Sequence, residues 1–177
     1  MNTAQDETVA PKNRSDQVRL TEIFLSLQGE STSVGLPTVF VRLTGCPLRC
    51  TYCDTAYAFH GGSSVSIEAV LEEVGSHGTR HVTVTGGEPL AQPGVLPLMT
   101  ALCDAGYSVS IETSGALDVA EVDSRVRKVL DLKTPGSGPA MHRRLVKKAL
   151  LRGDRRDPAH HTSASPSRSP DDRRAQT

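Results

Sequence analysis

Tryptophan is absent, and three tyrosines and three phenylalanines are the whole aromatic complement, 3 % of 177 residues. That excludes a core of stacked rings; Val, Leu, Ile and Ala must fill it. Long apolar runs are missing too. None approaches the ~18 residues that a membrane span needs. Met1 to Asp16 is polar and holds no apolar stretch of the signal-peptide kind, so a cytoplasmic protein is expected. Net charge is zero, from 20 Lys plus Arg and 20 Asp plus Glu, which removes any global argument for nucleic acid or an anionic membrane. Cysteine is scarce at four, too few for a disulfide framework in a reducing compartment. What remains is an ordinary length for one domain.

The zero charge conceals two halves. Met1 to Pro139 holds 10 basic and 16 acidic residues; Ala140 to Thr177 holds 10 basic and 4 acidic. The second half has no aromatic residue and is rich in Arg, Ser, Pro and His. Three regions are expected: a flexible arm over 1–18, a folded domain over 19–138, and a basic, largely disordered tail over 139–177. Within the tail, 140–152 (AMHRRLVKKALLR) has the spacing of a short basic helix.

The body alternates between strand and helix patterns. Pro37–Leu43, His81–Thr85, Tyr107–Glu112 and Val126–Lys133 read as strands. Ser66 is placed to cap a helix through Ile67, Val70, Leu71 and Val74, ended near Gly75. A second helix spans Gly94–Ala105 and stops at Gly106. A weak helix is expected over 119–124. Strands separated by helix-length segments imply an α/β fold with a parallel sheet. Ligands of such sheets sit beyond the carboxyl ends of the strands. Gly45–Asp54, Thr85–Pro89, Glu112–Gly115 and Asp131–Lys133 all fall there, so the motifs converge on one rim.

Cys46, Cys50 and Cys53 form C-x-x-x-C-x-x-C. Thiolates are soft ligands that suit iron–sulfur clusters and zinc. Three from one loop can hold three irons of a [4Fe–4S] cluster and leave the fourth open. A structural zinc wants four ligands, and His60, His77 and His81 lack a compelling spacing for the fourth. A zinc loop or free thiols are the alternatives. Cys103 lies in an apolar helical stretch and reads as a small core residue.

The loop resembles the signature of the radical S-adenosylmethionine superfamily, C-x-x-x-C-x-aromatic-C, with Tyr52 as the aromatic residue. Gly86-Gly87-Glu88-Pro89 at a strand end matches its second motif. Ile23-Phe24-Leu25-Ser26-Leu27-Gln28-Gly29-Glu30 before Pro37–Arg42 narrows the resemblance to the 7-carboxy-7-deazaguanine synthase family. Cys53-Asp54-Thr55, Ile111–Gly115 and Asp131–Gly136 agree. Glycyl-radical activating enzymes share the cysteine and glycine motifs but not generally the Leu-Gln-Gly-Glu segment at this spacing.

The resemblance implies an abbreviated, incomplete radical-SAM-type β/α barrel. It also implies a [4Fe–4S] cluster, S-adenosylmethionine, Mg2+, an external electron donor such as flavodoxin, and a homodimer. The implied reaction is ring contraction of 6-carboxy-5,6,7,8-tetrahydropterin to 7-carboxy-7-deazaguanine with loss of ammonia, in queuosine biosynthesis. An adenosyl radical would take and later return a hydrogen, regenerating the cofactor. By position, Cys46, Cys50 and Cys53 would hold the cluster and Thr55 the magnesium. Tyr52, Cys53, Asp54, Gly87, Glu112, Ser114, Asp131 and Lys133 would surround S-adenosylmethionine. Leu27, Gln28, Gly29, Arg42 and Thr85 would meet the pterin. From residue type alone, the alternatives are a turn side chain for Gln28, a surface ion pair for Arg42 and a cap or turn for Thr55.

The family pattern stops near Gly138. The strands and the polar closing segment that the family carries beyond the Asp-x-Lys strand are not found. A shifted reading frame after about residue 138, or a short variant whose 140–152 helix covers the open edge, would each account for the basic tail. RNA binding by the tail is less expected than a solvated segment. A cluster-binding but inactive remnant is the alternative function.

Overall fold

A computed structural model describes residues 15–131. The expectations for residues 1–14, for Lys133, and for the remainder of the chain with its 140–152 helix lie outside the described residues. Six strands form one sheet: β1 (Gln17–Leu27), β2 (Pro37–Leu43), β3 (Ser63–Ser66), β4 (His81–Gly86), β5 (Ser108–Thr113) and β6 (Arg127–Leu130). Their order is β3-β1-β2-β4-β5-β6. β2, β4, β5 and β6 run parallel, as expected. β1 and β3 add an antiparallel edge to this parallel sheet, because β1 pairs antiparallel with both β2 and β3. The arm is corrected: Gln17 and Val18 belong to β1, and Val18 is 1 % exposed. Its side chain joins the core, which ties this end of the chain down.

Two helices supply the crossovers, α1 (Ile67–Ser76) and α2 (Val95–Asp104). Ser66 caps α1 by accepting from the Ala69 N–H at 3.3 Å. Both helices bury alternate strand residues in one cluster: Val39, Val41 and Leu43 of β2, Val82 and Val84 of β4, Val109 and Ile111 of β5. Val70 and Val74 of α1, with Leu98, Met99 and Leu102 of α2, meet them. Each such side chain contributes roughly 1.5–3 kcal/mol by leaving water.

No helix forms over 119–124. Asp118 accepts from the Ala120 N–H at 3.1 Å and Asp123 from the Arg125 N–H at 2.9 Å. These side-chain turns compete with helical hydrogen bonding, while Val119 and Val122 still reach the core.

The opposite sheet face is the polar one. Register sets its residues in rows across the strands: Glu22, Arg42, Thr85 and Glu112 nearest the carboxyl ends, then Phe24, Phe40, Thr83 and Ser110. Period-two alternation forces this outcome, since the valines take the other face. No helix among the described residues is long and apolar enough to cross a membrane.

Candidate active site

The cysteine loop leaves β2 after Leu43 and folds back over the end of β4. Gly45 N–H donates to Ala58 O at 2.7 Å, and Glu88 N–H to Gly45 O at 2.9 Å. The close crossing explains the glycine pair. A Cβ on Gly86 would stand 2.2 Å from Leu43 O; one on Gly87 would stand 2.2 Å from Gly45 O and 2.7 Å from Cys46 Cβ. Gly86 also has φ +142°, a region that disfavours side chains. The glycines therefore let two chain segments touch, whatever ligand they also approach. Gly87→Ala is expected to cost about 2 kcal/mol and to lower Tm by about 10 °C, measured by circular dichroism melting.

Glu88 sits below this crossing, 1 % exposed. Its Oε1 accepts from Thr113 Oγ1 (2.8 Å) and Leu90 N–H (3.2 Å), its Oε2 from Ser114 N–H (3.0 Å) and Ser114 Oγ (2.5 Å). One carboxylate thus fixes the end of β5 against the end of β4. Sequence reading assigned Ser114 a role and left Glu88 without one. An ionisable residue inside a glycine turn, close to Thr-Ser-Gly at a neighbouring strand end, was the available signal.

Above these strand ends lies a cleft of about 420 Å³. Cys46, Cys50, Tyr52, Cys53, Asp54, Thr55, Arg42, Thr85, Gly87, Glu112, Ser114 and Asp131 all line it. Leu27, Gln28 and Gly29 do not. Leu27 is 64 % exposed, whereas Gln28 is buried beneath the cleft. The Gln28 Nε2 donates to Thr83 Oγ1 at 2.9 Å and Glu112 Oε1 at 3.3 Å; its Oε1 accepts from the Glu30 N–H at 3.0 Å. Glu112 also accepts from Thr85 Oγ1 at 2.8 Å. Thr55 donates to Asp54 Oδ1 at 2.7 Å.

Arg42 is held by residues that sequence reading missed. Its Nε lies 2.7 Å from Glu22 Oε1, which also accepts from Tyr57 Oη at 2.7 Å. The guanidinium lies 5.4 Å from the Phe24 ring centre and 5.9 Å from that of Tyr57. Tyr57 and Arg42 hold the Glu22 carboxyl below its ordinary value, against a smaller opposing effect of burial. The same bond raises the Tyr57 phenol. Because the folded Glu22 pKa is depressed, this ion pair supports the fold at neutral pH and is lost on acidification. The Arg42 terminal nitrogens have no hydrogen-bond partner among the described residues and border the cleft.

All three loop cysteines are free and partly buried. Burial pushes the Cys46 thiol up, and the Leu48 N–H, 3.4 Å from its sulfur, opposes this. Arg49 folds over Phe59, 4.4 Å from the ring centre, and donates to Cys46 O at 2.6 Å. No three His, Cys, Asp or Glu side chains among the described residues converge on a single metal ion. A cluster gives each thiolate its own iron and needs no such point. Three free thiols on one loop, with an N–H aimed at sulfur, fit that group.

A model of the radical SAM superfamily matches residues 40–137. The chain is 45 % identical over 135 residues to the 7-carboxy-7-deazaguanine synthase of Chlorobaculum tepidum, covering 76 % of this chain and 59 % of that protein. For the 7-carboxy-7-deazaguanine synthase of Koribacter versatilis the identity is 47 %, over 68 % of this chain and 54 % of that protein. The crystal structure of QueE from Escherichia coli is similar with a TM-score of 0.63 at 31 % identity, covering 75 % of this chain and 68 % of that one.

The chain belongs to the 7-carboxy-7-deazaguanine synthase family of the radical SAM superfamily.

It spans a little over half the length of these curated members of the family. The family's radical SAM domain implies a [4Fe–4S] cluster and S-adenosylmethionine, and the cleft holds the residues that suit them.

Proposed function

We propose that this chain contracts the ring of 6-carboxy-5,6,7,8-tetrahydropterin to give 7-carboxy-7-deazaguanine with release of ammonia, in queuosine and 7-deazapurine biosynthesis. One observation carries the proposal. The cysteine loop, the glycine turn, Thr85–Glu112 and Arg42 line a single cleft in a chain 45 % identical to a synthase of that name.

Cys46, Cys50 and Cys53 hold the cluster. With S-adenosylmethionine bound, the cluster supplies the one-electron chemistry that starts the reaction. Tyr52, Cys53, Asp54, Gly87, Glu112, Ser114 and Asp131 bind S-adenosylmethionine, together with Lys133. Thr85 contributes to the pterin site from the cleft wall, and Gln28 supports it from beneath through Glu112. Arg42 takes the substrate carboxylate with its terminal nitrogens while Glu22 fixes its Nε side. Thr55 offers its hydroxyl to Mg2+, a hard ion that prefers oxygen.

A flavodoxin-type donor delivers the electron. Exposed Leu25, Leu27, Val34 and Leu36 support a homodimer that covers them. Four free thiols support a reducing, cytoplasmic setting.

The test is an anaerobic assay of the full chain after cluster reconstitution, with reductant, Mg2+, S-adenosylmethionine and the pterin. Product above a cysteine-free control supports the proposal; no product from a sample with a verified cluster overturns it. Arg42→Gln is expected to raise KM for the pterin at least tenfold, about 1.4 kcal/mol, with a smaller change in kcat. Initial-rate kinetics check this.

A further inference from the structure

The polar sheet face carries a second cleft, also about 420 Å³, at the amino-terminal ends of β4, β5 and β6. Gln28 stands between the two: its amide touches Thr83, which lines the lower cleft, and Glu112, which lines the upper. The lower cleft has its own chemistry. His81, Arg125, Arg127 and Lys128 line it, and no Asp or Glu does. Arg125 is already paired, 2.7 Å from Asp123 and 2.8 Å from Asp104. Arg127 has no ion pair among the described residues; its Nη1 donates to Ser33 Oγ at 2.8 Å, which leaves most of its donors unused. Hydroxyls supply much of the remaining lining, including Thr83 and Ser110, which are bonded to each other at 2.8 Å.

We propose that this lower cleft binds a phosphorylated sugar, with the phosphate at Arg127 and the sugar hydroxyls along the lining serines Ser33, Ser108, Ser110 and Ser124. Uncompensated positive charge selects an anion. A guanidinium fork suits phosphate oxygens. Clustered hydroxyls both donate and accept, which matches a polyol. The volume is that of a small-ligand site. No Phe, Tyr or Trp lines the cleft, so His81 is the one ring in its lining that a nucleobase would meet. The proposal is independent of the reaction assigned to the upper cleft.

Isothermal titration of the full chain with ribose 5-phosphate, ribose and inorganic phosphate tests it. Saturable binding of ribose 5-phosphate at one site is expected, weakened at least about tenfold by Arg127→Gln and unchanged by Arg42→Gln. Ser108→Ala, which removes one lining hydroxyl, is expected to weaken it about fivefold and provides a second variant if Arg127→Gln melts early. Absence of saturable binding, or affinity unchanged in both lower-cleft variants, would overturn the site. Loss of binding in Arg42→Gln would place the ligand in the upper cleft and overturn it equally. Inorganic phosphate binding as tightly as ribose 5-phosphate would overturn the sugar assignment.

Discussion

Cys50→Ala is expected to strip the reconstituted protein of its cluster and to lower turnover by at least about three orders of magnitude, about 4 kcal/mol of barrier. The reason lies in how the ligands are supplied. All three proposed ligands come from one loop between β2 and the turn at Ala56–Phe59, so none has a spare nearby. Cys103 lies in α2 against the core, and burial raises its thiol above the ordinary value. Arg49 packs over Phe59 at 4.4 Å from the ring centre and braces the loop from outside. Iron and sulfide analysis, visible absorbance and product formation are the readouts. Cys103→Ala is the control and should retain iron. A Cys50→Ala protein with full iron and unimpaired turnover would show that these thiols are not the cluster's ligands.

Glu88→Ala is expected to produce the largest loss of stability. The substitution leaves Thr113 Oγ1, Ser114 Oγ and the Ser114 and Leu90 N–H groups without their acceptor, around a side chain only 1 % exposed. Buried donors left unsatisfied cost about 1–3 kcal/mol each when they cannot relax. A net loss of about 4 kcal/mol and a fall in Tm of about 10–15 °C are the expectations. Glu88→Gln keeps one acceptor oxygen but turns an amide donor toward Ser114, so an intermediate loss is expected. Melting curves of the three proteins give the order wild type, Gln, Ala. If Glu88→Ala melts with wild type, the clamp between β4 and β5 contributes nothing.

Much of the core was legible because valine alternation has a single meaning in a short run. Thr-Val-Phe-Val-Arg-Leu and His-Val-Thr-Val-Thr each turn their valines to the core face, and the structure places both as β2 and β4. β1 was less legible for a physical reason. Its Ile23, Leu25 and Leu27 do alternate, but Phe24 interrupts the polar side and stacks on Phe40, 5.2 Å between ring centres. β3 is four residues with a single apolar side chain, Val65, and pairing with β1 rather than composition makes it a strand.

The site followed the same division. Residues on loops with special chemistry, such as Cys46, Cys50 and Cys53, stood out in the chain. Glu22 did not, because its partner Arg42 is brought opposite only by β1–β2 register. Reading Thr21–Leu27 as a strand would have exposed that pair. Gln28 shows the opposite case: its residue type suggested a pterin contact or a turn side chain, yet Thr83, Glu112 and the Glu30 N–H take up its amide from within.

The central claim is that this rim holds a [4Fe–4S] cluster open to S-adenosylmethionine. Electron paramagnetic resonance of the reconstituted, reduced full chain, recorded with and without S-adenosylmethionine, tests it most directly. The account predicts a reduced-cluster signal whose shape and g values change when S-adenosylmethionine is added. A protein that retains no iron with Cys46, Cys50 and Cys53 intact, or a cluster signal untouched by S-adenosylmethionine, would contradict it.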